Sequence, residues 1–265
     1  MSAPDRWFSH RTERPFATLR LICFPYAGGG VSAYRPWSDA LGPDVEVRPV
    51  QLPGRESRLD EPCCTDLDAL VHGITNAVSA LTAARTVLFG YSMGALLAFE
   101  VARELRRRRL PVERLIVAAA PAPHLARSRS RMHELPDAEL TEALRDLGGT
   151  PDVVFDDSEL LQVLLPILRA DFTLLERYRH KRDVPLACPI SALGGRADAL
   201  VSAAQLGAWR AHTQEAFDTA SFPAGHFFMH ACGERVRSHV AALLHRGGAY
   251  APASTRVCAS FPSSP

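Results

Sequence analysis

TVLFGYSMGALLAFEVARELRRRR, residues 86–109, is the segment that best predicts the architecture of this chain. Its first four residues are mostly apolar and rich in β-branched side chains, which is typical of a strand buried on both faces. Gly90-Tyr91-Ser92-Met93-Gly94 follows, and apolar residues at helical spacing then lead into a run of arginines, which suit a helix C-terminus. A serine between two glycines at a strand-to-helix turn is the pattern of a nucleophile elbow. The sequence therefore predicts Ser92 as a nucleophile.

The elbow interpretation makes two physical predictions. The turn is so sharp that the serine adopts a strained backbone conformation, and a side chain at position 90 or 94 would collide with the neighbouring strand or helix. The Ser92 hydroxyl then stands at a helix N-terminus, where the positive end of the helix dipole favours a developing anion. The alternative is a G-x-S-x-G in a plain loop, because the bare pattern is common.

The composition is that of an ordinary globular protein. Of the 265 residues, 47% are hydrophobic and 22% are charged, and the formal net charge of +1 argues against nucleic-acid binding. No apolar run reaches the roughly 18 residues of a membrane span, and the N-terminus has no apolar signal-peptide core. The six cysteines show neither metal-ligand spacing nor a regular disulfide framework. We therefore expect a cytoplasmic monomer with reduced thiols, without a metal ion, a nucleic-acid partner or a membrane partner.

Strand-like and helix-like segments alternate along most of the chain. The strand-like segments are 19–24, 45–52, 86–89, 115–120, 189–193 and 217–222. This alternation predicts an α/β fold with a mostly parallel, doubly wound sheet. We expect a core made of 15–121 and 186–246, a flexible N-terminus (1–14) and a disordered tail (247–265) rich in Gly, Ala, Ser and Pro.

The intervening segment, 122–185, differs from the rest. Apolar residues between 158 and 178 occupy more than one helical face, so this helix must be covered on two sides, and Pro166 is predicted to kink or break it. We interpret 122–185 as a helical lid inserted over the active site. The alternative is an interface helix in a dimer.

A glycine-rich loop, Pro25-Tyr26-Ala27-Gly28-Gly29-Gly30, directly follows the first predicted strand. It lacks both the Gly-Lys-Ser/Thr of a phosphate-binding loop and the G-x-G-x-x-G of a dinucleotide site. In hydrolases with a nucleophile elbow, such a loop supplies one backbone N–H to the oxyanion hole, and the residue after the nucleophile supplies the other. We therefore predict the N–H groups of Ala27 and Met93 as the oxyanion hole, a plain glycine-rich turn being the alternative.

A serine hydroxyl needs a general base, and the base needs an orienting carboxylate. In this fold the acid and then the histidine follow the serine along the chain, each on a loop after a strand. Asp198 and His226 each come a few residues after a predicted strand, at the edge where open sheets place their sites. Asp171 and Asp183 are alternative acids. The other histidines fall on predicted helices, in a tail, or in the lid and at its edges.

Several motifs taken together resemble the type II thioesterases, the stand-alone editing enzymes of modular polyketide and nonribosomal peptide synthesis. The motifs are LICFPYAGGG, VQLPGRESR (Val50–Arg58), GYSMG, GGRAD and PAGHFF, and the likeness extends over residues 15–245. The resemblance implies an α/β-hydrolase fold with a flexible helical lid. It implies hydrolysis of stalled or aberrant acyl groups from the 4′-phosphopantetheine arm of acyl or peptidyl carrier proteins.

The resemblance also implies a set of site residues. Ser92, Asp198 and His226 are the expected catalytic residues, Ala27 and Met93 give the oxyanion hole, and the substrate itself brings the phosphopantetheine, so no cofactor is expected. We expect four side chains to face the substrate or form the lid contact: Tyr26, Leu164, Leu168 and Phe172. Members often have histidine where this chain has Tyr26. The alternatives are a generic carboxylesterase or acyltransferase with the same triad, or a binding protein of the same fold.

Two clusters of arginines stand out in a chain of nearly zero net charge. Arg106–Arg109 end the predicted elbow helix and are interpreted as a solvated helix end. Arg127, Arg129 and Arg131 lie at the entrance to the predicted lid. We expect these three to steer acidic carrier proteins towards the site.

Overall fold

The computed structural model describes residues 6–8, 14–81, 84–125 and 131–245. Within these ranges, six strands form one parallel sheet in the order β2-β1-β3-β4-β5-β6. The strands are β1 (Leu19–Phe24), β2 (Val45–Pro49), β3 (Arg85–Tyr91), β4 (Arg114–Ala118), β5 (Ile190–Gly195) and β6 (Phe217–Phe222). The strand order reverses between β1 and β3, which is where open α/β sheets bind their ligands. The predicted mostly parallel, doubly wound sheet is confirmed.

Helices cover both faces of this sheet. The α-helices are α1 (Trp37–Ala40), α2 (Leu67–Ser79), α3 (Met93–Arg107), α4 (Asp137–Leu147), α5 (Asp152–Phe155), α6 (Ser158–Arg177), α7 (Ala203–Gly207), α8 (Phe228–Ala231) and α9 (Gly233–Leu244). Short 3₁₀ helices span Val31–Tyr34, Glu56–Arg58, Met132–Glu134 and Ala208–His212.

The core lies in two layers because successive strand residues point to opposite faces. Leu21 and Ile22 are adjacent in β1, are both fully buried, and belong to opposite clusters. One cluster packs the sheet against α2 and α3, and the other packs it against α1 and α9. Burial on both faces is why the central strands β1, β3 and β4 consist mostly of apolar residues.

The segment predicted as the lid contains α4, α5 and α6 and has a small core of its own, which includes Leu140 and Leu168. The longest of these helices, α6, buries Leu168 in that cluster but Leu174 in the main core, so two of its apolar faces have partners within the chain. Of the two outcomes predicted at Pro166, a kink or a break, the break does not occur, because the helix continues through the proline. Opening and closing of this lid stays a prediction.

Part of the N-terminus predicted as flexible is held against the core. Phe8 is 1% exposed and belongs to a core cluster. Trp7 accepts a hydrogen bond from the Gln51 N–H with its carbonyl oxygen, and the Arg58 guanidinium lies 4.6 Å from its ring centroid. The prediction therefore fails at Trp7 and Phe8, because two large aromatic side chains gain more from burial than a tail loses in freedom. The predicted disordered tail, 247–265, lies outside the described residues.

Three histidines, His124, His180 and His212, form a cluster. The His124 Nδ1 and His212 Nε2 atoms are 2.7 Å apart, and the His180 and His212 rings lie 5.2 Å from centroid to centroid. His212 also packs on Phe99 and Trp209 and is 8% exposed. Burial, together with the nearby charges of His124, His180 and Arg103, lowers the pKa of His212 to about 4.

We expect this cluster to make folding stability fall at acidic pH. The unfolded chain protonates His212 near pH 6.5, whereas the folded chain does so only near pH 4. The unfolded state therefore binds more protons in this window, and the free energy of unfolding decreases as pH falls through it, by at most about 2 kcal/mol between pH 7 and pH 5. Urea unfolding of wild type and His212→Gln at pH 7 and pH 5 measures the effect.

The matched control for this prediction is His72→Gln, which removes an exposed histidine of α2. We expect the stability difference between pH 7 and pH 5 to shrink in His212→Gln and to stay as in wild type in His72→Gln. An unchanged pH dependence in His212→Gln would contradict the prediction.

Candidate active site

Ser92 lies between the end of β3 and the start of α3, in a strained backbone conformation. Its φ and ψ are 52° and −112°, a region that residues other than glycine rarely adopt. The flanking glycines are required by space. A Cβ at Gly90 would lie 2.2 Å from the carbonyl oxygen of Gly94, and a Cβ at Gly94 would lie 2.1 Å from that of Phe24. The strand, turn and helix predicted around the elbow are confirmed.

The structure brings the three predicted catalytic side chains together. The His226 Nε2 atom lies 3.2 Å from the Ser92 Oγ, and its Nδ1 atom lies 2.9 Å from Asp198 Oδ2. The carboxylate of Asp198 has no exposed surface, and the His226 side chain is 10% exposed. These distances suit proton transfer from a serine hydroxyl to an imidazole that a carboxylate orients.

The loop after β5 keeps Asp198 ionised. Burial alone would raise the pKa of this carboxyl, but hydrogen bonding to His226 and its charge, with the N–H groups of Leu200 and Val201, outweigh burial and lower it. Those two N–H groups lie 2.8 and 3.1 Å from Oδ1, so Oδ2 is left to face the imidazole. An ionised Asp198 then holds the proton on Nδ1 of His226 and leaves Nε2 as the acceptor.

Tyr91, the residue before the serine, has a role in the site that the sequence did not predict. Its hydroxyl donates a hydrogen bond to the carbonyl oxygen of His226 and lies 3.4 Å from the N–H of Met229. Tyr91 thus ties the elbow directly to the loop that carries the histidine. The middle position of G-x-S-x-G carries no pattern that predicts such a contact, because the partner lies 135 residues away.

The Ala27 and Met93 N–H groups stay a prediction for the oxyanion hole, and the structure bears on whether each is free to donate. Met93 is the first residue of α3, so its N–H has no acceptor within the helix. In the part of the chain that the structure describes, no oxygen accepts from the Ala27 N–H, whereas Gly28 donates to Asp171 and Gly29 to the Tyr26 carbonyl. Both N–H groups are thus available to an oxyanion, as the predicted oxyanion hole requires.

The glycine-rich loop is held by the neighbouring segment that contains the QLPGRE motif. Glu56 accepts hydrogen bonds from the N–H of Val31 at 3.0 Å and from the N–H and hydroxyl of Ser32 at 3.2 and 2.6 Å. Arg55 donates to the Gly29 carbonyl at 3.2 Å. The motif supported the family resemblance, but its contact with the loop could not be predicted from spacing.

The two alternative acids lie elsewhere. Asp171, in α6, is paired with Arg55 and is 1% exposed. Asp183 forms ion pairs with Arg106 at 2.7 Å and Arg107 at 3.0 Å at the far end of α3. The arginine-rich end of that helix, interpreted as solvated, is therefore partly neutralised by the segment that follows α6.

The predicted substrate- and lid-facing residues gather over the glycine-rich loop. Tyr26 makes edge-on contacts with the rings of Tyr91, Phe227 and His230 at centroid distances of 6.0, 6.1 and 5.5 Å. A Cβ placed on Gly28 would lie 2.8 Å from Leu168 and 3.6 Å from Leu164, so α6 packs directly on this loop. Phe172 packs against the same lid cluster.

Of the three arginines predicted to steer carrier proteins, the structure describes one. Arg131 has an exposed side chain and forms an ion pair with Glu134 at 3.1 Å. Arg127 and Arg129 lie outside the described residues.

Within the described residues, no helix is both long and apolar enough to cross a membrane.

The chain is similar to known proteins in both sequence and fold. The family model described as Thioesterase domain matches residues 19–246. The chain is 40% identical over 232 residues to the gramicidin S biosynthesis protein GrsT of Aneurinibacillus migulanus, covering 87% of this chain and 90% of that protein. Its fold is similar to RedJ, a thioesterase from the prodiginine pathway of Streptomyces coelicolor, with a TM-score of 0.80, 40% identity and coverage of 90% and 92% of the two chains. It is also similar to the type II thioesterase BorB of the borrelidin cluster, with a TM-score of 0.81, 39% identity and coverage of 87% and 94%.

Proposed function

Because this chain belongs to the thioesterase family, we propose that it removes aberrant or stalled acyl groups from the 4′-phosphopantetheine arm of carrier proteins in polyketide or nonribosomal peptide synthesis. It is a type II thioesterase, an enzyme that hydrolyses thioester bonds. The observation that carries the catalytic part of the proposal is the continuous hydrogen-bonded chain from Ser92 through His226 to Asp198, three residues that follow the C-terminal ends of β3, β6 and β5.

The first half of the reaction acylates Ser92. His226 Nε2 accepts the hydroxyl proton while Ser92 Oγ attacks the thioester carbonyl. The tetrahedral oxyanion forms at the N-terminus of α3, where the N–H groups of Met93 and Ala27 stabilise it by about 3 kcal/mol for a single donor. Collapse of this intermediate breaks the carbon–sulfur bond, and the proton on His226 passes to the departing pantetheine thiol.

The second half hydrolyses the acyl-serine. His226 removes a proton from a water molecule, the resulting hydroxide adds to the ester carbonyl, and the same oxyanion hole holds the second intermediate. Ser92 then leaves with the proton from His226, which frees the acid and restores the enzyme. Asp198 stays ionised throughout and stabilises the imidazolium each time it forms.

The proposed substrate is an acyl thioester on a carrier protein. Its phosphopantetheine arm is expected to enter beneath α6. The sequence predicts a basic rim of Arg127, Arg129 and Arg131 that attracts an acidic carrier. Such steering acts mainly on the rate of association and weakens as salt screens the charges.

A substrate panel tests the proposed function. We expect higher kcat/KM for an acyl-pantetheine thioester than for the matched oxygen ester, and a higher value again for the same acyl group on a carrier protein. We expect the preference for the carrier to weaken as salt rises, since the steering is electrostatic. Equal or faster hydrolysis of the oxygen esters would instead favour a generic carboxylesterase with this triad.

The lid residues have a separate expected effect. Leu164 is half-buried over Gly28, on the side of α6 that faces the glycine-rich loop. We expect Leu164→Ser to raise KM and change the preferred acyl length. The leucine offers apolar surface to the acyl group, and full burial of such a side chain contributes up to about 1.5–3 kcal/mol. Steady-state kinetics over a series of acyl chain lengths measures this effect.

Leu160→Ser is the matched control, because Leu160 is in the same helix but is 46% exposed. This variant is expected to keep the wild-type chain-length profile. If Leu164→Ser lowers the melting temperature sharply with unchanged kinetics, the residue belongs to the structural core and not to the substrate path.

A further inference from the structure

A buried ion pair joins the lid helix to the glycine-rich loop. The Arg55 Nη1 and Nη2 atoms donate to Asp171 Oδ2 and Oδ1, each at 2.7 Å. The side chains of the two residues are 5% and 1% exposed. This two-point contact fixes the plane of the carboxylate as well as its distance, which a single contact would not do.

The same carboxylate holds the loop that supplies the oxyanion hole. The Gly28 N–H donates to Asp171 Oδ2 at 2.8 Å, and the Arg55 Nη1 also donates to the Gly29 carbonyl at 3.2 Å. The peptide groups on the C-terminal side of Ala27 are thus held by one guanidinium and one carboxylate. As a glycine, Gly28 has a backbone with many accessible conformations, and these contacts hold it at a φ of 77°.

The direction of the Ala27 N–H depends on this arrangement. A loop of three consecutive glycines has many accessible conformations, and only some of them direct a particular N–H at the oxyanion. With Gly28 N–H held by Asp171 and Gly29 N–H by the Tyr26 carbonyl, the loop has one set of hydrogen bonds, which leaves Ala27 N–H for the ligand.

We propose that Arg55 and Asp171 are positioning residues for the oxyanion hole: the pair fixes the glycine-rich loop so that Ala27 N–H faces the reacting carbonyl. Because Asp171 is in α6, the oxyanion hole is complete only when this helix lies on the loop, and substrate closure and catalytic competence are coupled. The inference rests on the proposed function, since it assigns a support for the oxyanion hole of that reaction.

Two variants separate a positioning role from a structural one. Asp171→Asn keeps an oxygen that can accept from Gly28 N–H but leaves the Arg55 charge buried without a counter-charge. The double variant Arg55→Met/Asp171→Leu removes both charges and fills the space with apolar atoms, a replacement that buried ion pairs often tolerate without loss of stability. It leaves Gly28 N–H without its acceptor.

The two properties should therefore change in opposite orders. The melting temperature is expected to fall in the order wild type, double variant, Asp171→Asn. The kcat for an acyl-pantetheine thioester is expected to fall in the order wild type, Asp171→Asn, double variant. The double variant should lose on the order of 10- to 100-fold, because a misplaced N–H donor gives up part of the transition-state stabilisation that deletion of the donor would remove.

Two ligands test whether the double variant loses stabilisation of the transition state rather than binding of the substrate. A trifluoromethyl ketone analogue of the acyl group forms an oxyanion on Ser92, and its Ki should rise by the same factor as kcat falls in the double variant. An S-alkyl pantetheine thioether has no carbonyl, and its Kd should change by less than about 3-fold, because it does not use the oxyanion hole. Arg55→Lys gives a second route if the double variant does not fold, since a lysine keeps the charge but not the two-point contact.

Glu46→Gln is the matched control. Glu46 belongs to another buried ion-pair cluster, with Arg20 at 2.8 Å and Arg48 at 2.5 Å, on β1 and β2 away from the catalytic loops. It should lose stability but keep the kcat of wild type. The proposal is overturned if kcat follows melting temperature across the variants, or if the thioether and ketone weaken equally. Absence of thioester hydrolysis by the wild-type enzyme would instead overturn the proposed function itself.

Discussion

Replacing Ser92 with alanine is expected to lower kcat by roughly 10⁶-fold, the effect seen when the nucleophile of a serine triad is removed. The physical reason is that no covalent acyl-enzyme can form, and the base has no hydroxyl to activate. Thioester turnover measures the loss, and a fluorophosphonate probe followed by mass spectrometry measures the covalent step. The probe should label Ser92 in wild type and nothing in the variant.

Ser202→Ala is the control for this variant. Ser202 caps α7 by accepting from the Gln205 N–H, so its removal costs a helix cap without touching the triad. Full labelling and near-normal turnover are expected in Ser202→Ala. Labelling that persists in Ser92→Ala would show that another residue is the nucleophile.

Replacing Asp198 with asparagine is expected to lower kcat by about 10⁴-fold while the fold is retained. An amide in this position can donate to His226 Nδ1, which favours the tautomer with the proton on Nε2. That tautomer cannot accept the proton of the Ser92 hydroxyl, whose oxygen lies 3.2 Å from Nε2. Steady-state kinetics with circular dichroism as the folding check tests this expectation.

Asp171→Asn makes the comparison specific, because both aspartates are buried and both were candidate acids. Because Asp171 is a positioning residue, we expect Asp171→Asn to lose much less kcat than Asp198→Asn and to lose more stability. If Asp171→Asn were the more damaging change to kcat, Asp198 would not be the acid that orients His226.

The elbow was the most predictable part of this molecule because all of its signals are local. Residues 86–109 contain, in order, a buried strand, a turn with two glycines, and an amphipathic helix. A Cβ at either glycine would clash with backbone atoms. The acid and the histidine were predictable for a related reason: parallel strands place their C-terminal ends at one edge of the sheet, so a residue soon after a strand lies near other such residues. Asp198 and His226 were therefore predicted from their positions after strands and from the chain order serine, acid, histidine.

Other features depended on the packing of segments that are distant in sequence. Local patterns predicted a kink or break at Pro166 and a flexible segment at Trp7 and Phe8, yet α6 continues through the proline and Phe8 is buried. In both places tertiary contacts outweigh a local preference, as burial of large apolar side chains commonly does. No periodicity in the sequence reports these contacts.

The sequence by itself determined the order of strands and helices, the nucleophile, and the loops that carry its acid and its base, because each depends on neighbouring residues or on strand ends. Only the tertiary structure decided what supports them: the Tyr91 hydroxyl on the His226 carbonyl, and the Arg55–Asp171 pair on the Gly28 N–H. Arg55 and Asp171 are separated by 116 residues, and Asp171 and Gly28 by 143. Their contacts form only because α6 packs on the glycine-rich loop, and the free energy of that packing depends on the shape of both surfaces, not on any local pattern.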